Sequence, residues 1–213
     1  MVQRVALWFP ENVIAVAIVC VPFIRPSPTF SSLEKMVEKY PNYAYQLWMA
    51  SAEAENELSS KENIERFLKG VYRIKGDEPI HFNSSVGLLQ GMGNPNLGKL
   101  WESNEVWEYY LQEFNRKGNM SGPLTYYKTR GLNYRDELEI VDTARIKCPA
   151  MFIGAKLDMA VPPSAWQGQE KWVTQLEKYE IELGHWCLVE QGGKEVNGIL
   201  LEWVGKVSKA AKL

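Results

Sequence analysis

The chain has 213 residues, the length of one globular domain, with 46% hydrophobic and 23% charged side chains; these ordinary values exclude a collagenous, disordered or disulfide-scaffold chain. Its 24 basic and 26 acidic residues leave a formal charge of -2, so nothing predicts electrostatic binding to nucleic acid or to an anionic membrane. Three cysteines, Cys20, Cys148 and Cys187, odd in number, widely spaced and without C-x-x-C, point to reduced thiols in a cytoplasmic chain, and to neither a disulfide framework nor a zinc site.

In chain order, Val2, Val5, Ala6 and Phe9 recur at helical spacing, and Pro10-Glu11-Asn12 stop that helix. It starts without an upstream cap, and a free α-ammonium there would face the positive end of the helix dipole, so it reads as a helix entered part-way. The β-branched run at about 13 to 22 suits a strand buried on both faces of a parallel sheet, and at about 12 apolar residues it is too short to span a membrane. No basic region precedes it, so it is not a signal peptide either, and the glycosylation-like Asn83-Ser84-Ser85 and Asn119-Met120-Ser121 are read as chance. Three prolines in Pro22 to Pro28 mark a boundary. From about 30 to 145 the pattern is helical: one helix opened by a capping box at Ser31-Ser32-Leu33-Glu34, others at about 41 to 57 and 60 to 72, one capped by Ser103 and ended by Gly118, and a short one from Gly122-Pro123. Past Cys148-Pro149 the pattern reads as strand (Ala150 to Gly154), helix (about 164 to 177), short strand (Tyr179 to Leu183), and a last helix with Val196, Ile199, Leu200, Trp203, Val204 and Val207 on one stripe. Strand–helix units flanking a helical insertion of about 115 residues argue for an α/β sheet with a helical cap.

Asp158 and His185 each follow a predicted strand. In α/β sheets ligands bind beyond the carboxyl ends of the strands, and an Asp and a His on neighbouring ends can form an orienter–base pair. The alternative is a loop-capping Asp and an incidental His. His81, the other histidine, falls in a polar loop and reads as a surface residue. Gly93 to Leu100 nearly matches a phosphate-binding loop, but Leu100 stands where a magnesium-binding hydroxyl is needed and Pro95 removes a backbone donor. ATP binding is excluded on those grounds, and no cofactor or metal is indicated.

On particular residues the chain resembles the soluble-type epoxide hydrolases of the α/β-hydrolase fold. They are Ala6-Leu7-Trp8-Phe9-Pro10-Glu11-Asn12-Val13, Tyr45-Gln46-Leu47-Trp48, Gly122-Pro123-Leu124-Thr125-Tyr126-Tyr127, Lys156-Leu157-Asp158 and Gly184-His185-Trp186. The likeness implies the C-terminal part of an α/β-hydrolase sheet with an inserted helical cap. It divides the chain into a core helix and strand (residues 1–25), the cap (26–145) and the C-terminal core strands and helices (146–213). It further implies that an Asp nucleophile opens an epoxide, that Tyr45 and Tyr127 donate to the epoxide oxygen, and that His185, oriented by Asp158, activates water against the resulting ester. The family usually has Asn-Trp where this chain has Thr125-Tyr126, so Tyr126 is a rival donor, though the spacing from Gly122-Pro123 favours Tyr127; Tyr43 is a weaker rival to Tyr45. The implied partners are a small apolar epoxide and water, with no nucleic acid and no membrane span.

The family's nucleophile lies on a Gly-x-Asp-Trp-Gly turn just before the helix that begins here at Met1, and no G-x-[SD]-x-G occurs in the 213 residues. The expectation is therefore the back part of a larger hydrolase, carrying the tyrosines, the acid and the base but not the nucleophile. Two alternatives stand beside it. A haloalkane or haloacetate dehalogenase shares the Asp nucleophile, but a halide leaves without a proton and has no use for paired phenols. A non-catalytic truncated chain is the other.

Overall fold

The computed structural model describes residues 1–72, 88–91, 104–189 and 193–211. His81, the asparagine of Asn83-Ser84-Ser85, the loop Gly93 to Leu100 and the cap residue Ser103 lie outside them. In chain order the elements are helix α1 (Val2–Trp8), strand β1 (Val16–Val19), and helices α2 (Leu33–Lys39), α3 (Tyr45–Met49), α4 (Ala52–Glu57), α5 (Lys61–Val71), α6 (Leu88–Gly91), α7 (Asn104–Asn115), α8 (Ser121–Lys128) and α9 (Arg130–Glu137). Strands β2 (Ile146–Ala155) and β3 (Val173–Ile181) and the long helix α10 (Gly193–Ala210) follow. The chain divides into two compact units, one formed by residues 1–29 and 134–213, the other by residues 30–133.

The first unit is built on a parallel sheet of order β1-β2-β3, with Val16 opposite Ala150 and Ala155 opposite Ile181. Period-two alternation on β2 sends Ala150 and Phe152 to one face and Met151, Ile153 and Ala155 to the other. Ala6 of α1, Val16, Ile18 and Trp166 cover the first face, and Val196 and Trp203 of α10 cover the second. Covered on both sides, β2 is a run of apolar residues. Gly154 serves a close approach: a Cβ there would meet the Trp166 ring at 2.6 Å.

β1 is shorter than the predicted 13 to 22. Cys20, immediately after it, turns to φ +64, a left-handed conformation that ends the extended run, although its amide still donates to the Ile153 carbonyl (2.9 Å). The helix expected at 164 to 177 does not form. Two 3-10 turns, Pro163–Trp166 and Gln169–Lys171, are separated by Gly168 at φ +82, and β3 starts at Val173, ahead of the predicted strand. A residue in the left-handed region cannot sit inside a helix, and beyond it Val173 pairs with Ile146. On α10 the predicted stripe packs inward at Val196, Ile199, Leu200, Trp203 and Val207, whereas Val204 is exposed.

The second unit is helical around Leu58, Ile64, Leu68, Trp107, Leu111 and Leu124. The single helix expected over 41 to 57 is a 3-10 turn (Pro41–Tyr43) followed by α3 and α4. Ser51 makes the break. Its hydroxyl donates to the Trp48 carbonyl (2.7 Å) and accepts from the Ala54 amide (3.2 Å), closing one helix and capping the next. Ser60 caps α5 in the same way. The cap of α2 is Ser32, accepting from the Lys35 amide, one residue later than the expected box at Ser31.

Candidate active site

Asp158 and His185 are brought together by the register of β2 and β3. Ala155 and Ile181 close the two strands opposite each other. The chain beyond them stays joined: the Lys156 amide donates to the Ile181 carbonyl (2.9 Å) and the Leu157 amide to the Leu183 carbonyl (3.0 Å). Asp158 comes three residues after one strand and His185 four after the other, so their side chains meet beyond the carboxyl ends. Asp158 Oδ2 lies 2.8 Å from His185 Nδ1. Its Oδ1 accepts from the amides of Ala160 (2.8 Å) and Val161 (2.9 Å), so the buried carboxylate is held in one orientation. The Asp158 side chain has no exposed surface, whereas that of His185 is 35% exposed. An imidazole bonded to a carboxylate through Nδ1 presents Nε2 as its basic nitrogen.

In the second unit α3 carries Tyr45 and α8 carries Tyr127, from distant parts of the sequence. Their rings meet edge to face, with centroids 6.4 Å apart. Burial first, then the neighbouring Tyr45 and Tyr126 phenols, push the Tyr127 hydroxyl up to about 12. At neutral pH Tyr127 therefore keeps its proton. Gln46 Nε2 donates to the Tyr45 hydroxyl (3.4 Å). Of the rivals, Tyr126 is 77% exposed and Tyr43 stacks edge-on against Tyr40 instead.

Two residues beside His185 were not singled out from the sequence. The Cys20 thiol donates to the His185 carbonyl (3.4 Å), and Cys187 follows His185 by two positions with its Sγ 3.5 Å from that of Cys20. No spacing rule connects positions 167 residues apart. One donor atom each from Cys20, Asp158 and His185 lies within 4.8 Å of the others, close enough together to be considered as a metal site. The Asp158 oxygens are already engaged by two amides and the imidazole, so the cluster reads as a hydrogen-bonded pair with a thiol beside it.

The architecture is that of the α/β-hydrolase fold: solved structures matching it include a Vigna radiata epoxide hydrolase (TM-score 0.77, 22% identity, 96% of this chain and 65% of that one). A variant of potato epoxide hydrolase matches with TM-score 0.75 at 20% identity, over 96% of this chain and 66% of that one. Among proteins compared by sequence, the chain is similar to the bifunctional epoxide hydrolase 2 of Mus musculus, at 32% identity over 96% of this chain, and to an epoxide hydrolase of Neurospora crassa, at 29% over 94%. It spans 37% of the mouse protein and 61% of the fungal one. No family model matches. The chain's sequence relatives are thus hydrolases of the epoxide-opening kind, and its own fold is part of theirs.

Proposed function

We propose that this chain supplies the proton donors, the base and the orienting acid of an epoxide hydrolase that works through an aspartyl ester, the nucleophilic Asp coming from a segment outside the 213 residues. The reading rests above all on the Tyr45–Tyr127 pair, two phenols gathered from separate helices in a unit whose sequence resembles epoxide hydrolases. An alkoxide is a poor leaving group, and donors aimed at it act where charge develops. In the first step a carboxylate oxygen bonds to an epoxide carbon, the carbon–oxygen bond breaks, and the oxygen takes a proton supplied through the phenols. In the second, His185 Nε2 removes a proton from water as its oxygen attacks the ester carbonyl. The imidazolium, stabilised by Asp158, returns the proton to the departing diol. The residues 26–145 act as the cap in this reading, and the substrate is a small apolar epoxide.

The test is a fusion of the 213-residue chain behind a relative's strand and Gly-x-Asp-Trp-Gly turn, assayed for diol from an aryl epoxide. Diol formed by the fusion, absent from the unfused chain and lowered by about 10²–10⁴-fold in His185→Ala, supports the proposal. Equal turnover by the unfused chain, or by the His185→Ala fusion, refutes it. Halide release from a haloalkane without epoxide turnover assigns the dehalogenase reaction instead.

A further inference from the structure

Two thiols bracket the His185 turn, and the proposed reaction uses neither. Cys20, at φ +64 after β1, and Cys187, just beyond His185, are both buried on the sheet face that α10 covers, with sulfurs 3.5 Å apart. Neither is in a disulfide. A sulfur–sulfur bond is about 2.05 Å long, so the pair must close by about 1.5 Å, the scale of a side-chain rotation. The chemistry also favours Cys20 over the third cysteine. Its Sγ lies within 4.8 Å of a donor atom of His185, and the thiolate is the reactive form of any thiol. Cys148, on β2, has its thiol pushed up by burial, away from the thiolate.

We propose that Cys20 and Cys187 form a redox modification site, closed to a disulfide by a peroxide-class oxidant. The Cys20 thiolate attacks the peroxide oxygen, the O–O bond breaks and, after proton transfer, a sulfenic acid and water result. Cys187 sulfur then attacks that sulfur and expels hydroxide, which leaves as water with the Cys187 proton. Two thiols are oxidised by two electrons, and one peroxide becomes two waters. The bond removes the Cys20 donor from the His185 carbonyl. This site stands apart from the epoxide reading.

The experiment is hydrogen peroxide treatment of the folded chain, then alkylation and peptide mapping, with a denatured sample alongside. The expected product is lighter by two hydrogens, carries a peptide joining residues 20 and 187, leaves Cys148 alkylatable, and returns to the dithiol with reductant. The denatured chain gives mixed pairings. Cys187→Ala stops at a Cys20 sulfenic acid that dimedone traps; if that variant does not fold, the map of the unaltered chain decides alone. Persistence of alkylatable Cys20 and Cys187, oxygen adducts on each without a link, or links through Cys148 in the folded chain overturn the proposal. Because the map reads a bond and not turnover, its failure leaves the epoxide reading untouched.

Discussion

Asp158 binds three donors through two oxygens, and each bond fixes something different. The amides of Ala160 and Val161 fix the carboxylate, and the carboxylate fixes the imidazole. Asp158→Asn keeps the shape but cannot keep all three, because its amide nitrogen donates where an acceptor is needed. In a fusion carrying the nucleophile, the expected loss of turnover is about 10²–10⁴-fold, with the His185 Nδ1 proton lost from the downfield NMR region. Tyr127 makes a second prediction. Its folded pKa of about 12 lies above the ordinary 10.0, so the folded chain holds this proton longer than the unfolded one. The stabilisation is complete below pH 10 and disappears as the pH rises to about 12. Titration of tyrosinate absorbance should show a late component that Tyr127→Phe removes; an unchanged curve contradicts the burial argument. That Asp158 and His185 meet was legible because both follow strands whose carboxyl ends share one edge of a parallel sheet. Spacing from Gly122-Pro123 already favours Tyr127 over Tyr126, but that the Tyr45 and Tyr127 rings meet needs the packing, since neighbours in a sequence differ only in which way they face. The Cys20–Cys187 approach had no signal in the sequence, because it depends on a strand pairing across most of the chain.

At the scale of elements, period and composition located the apolar strand β2 and the stripe of α10, where one physical effect dominates. They failed between residues 164 and 177, where helix-forming side chains surround Gly168 and the tertiary pairing of Val173 with Ile146 prevails. They also ran α3 and α4 together, because a serine inside a polar run looks like a surface residue until its hydroxyl is seen bonded both ways. Near its carboxyl end β2 packs against the Trp166 ring. Gly154→Ala puts a methyl 2.6 Å from that ring, and overpacking of this kind should cost roughly 1–3 kcal/mol, read as a lower midpoint in urea unfolding. Gly122→Ala, with open space around it, is the control expected to change the midpoint little.

At the scale of the molecule, β1 and β3 each pair with one strand among the described residues, and Val2 and Val5 of α1 together with Phe9 and Ile14 are exposed. The α1 stripe that the sequence presents as a core face therefore buries only Ala6. Unpaired edges beside exposed apolar residues favour association. The 213-residue chain by itself should show a mass that rises with concentration in light scattering; a monodisperse monomer with a sharp cooperative melt contradicts this. Asp158 and His185 lie in one compact unit, and Tyr45 and Tyr127 in the other. The most direct test is the intact mass of the His185→Ala fusion after incubation with an aryl epoxide. The account predicts a gain of one substrate mass on the peptide bearing the supplied aspartate, because the ester forms and its water-activating base is missing. Diol accumulating with no such adduct, or an adduct on any other residue, would contradict it.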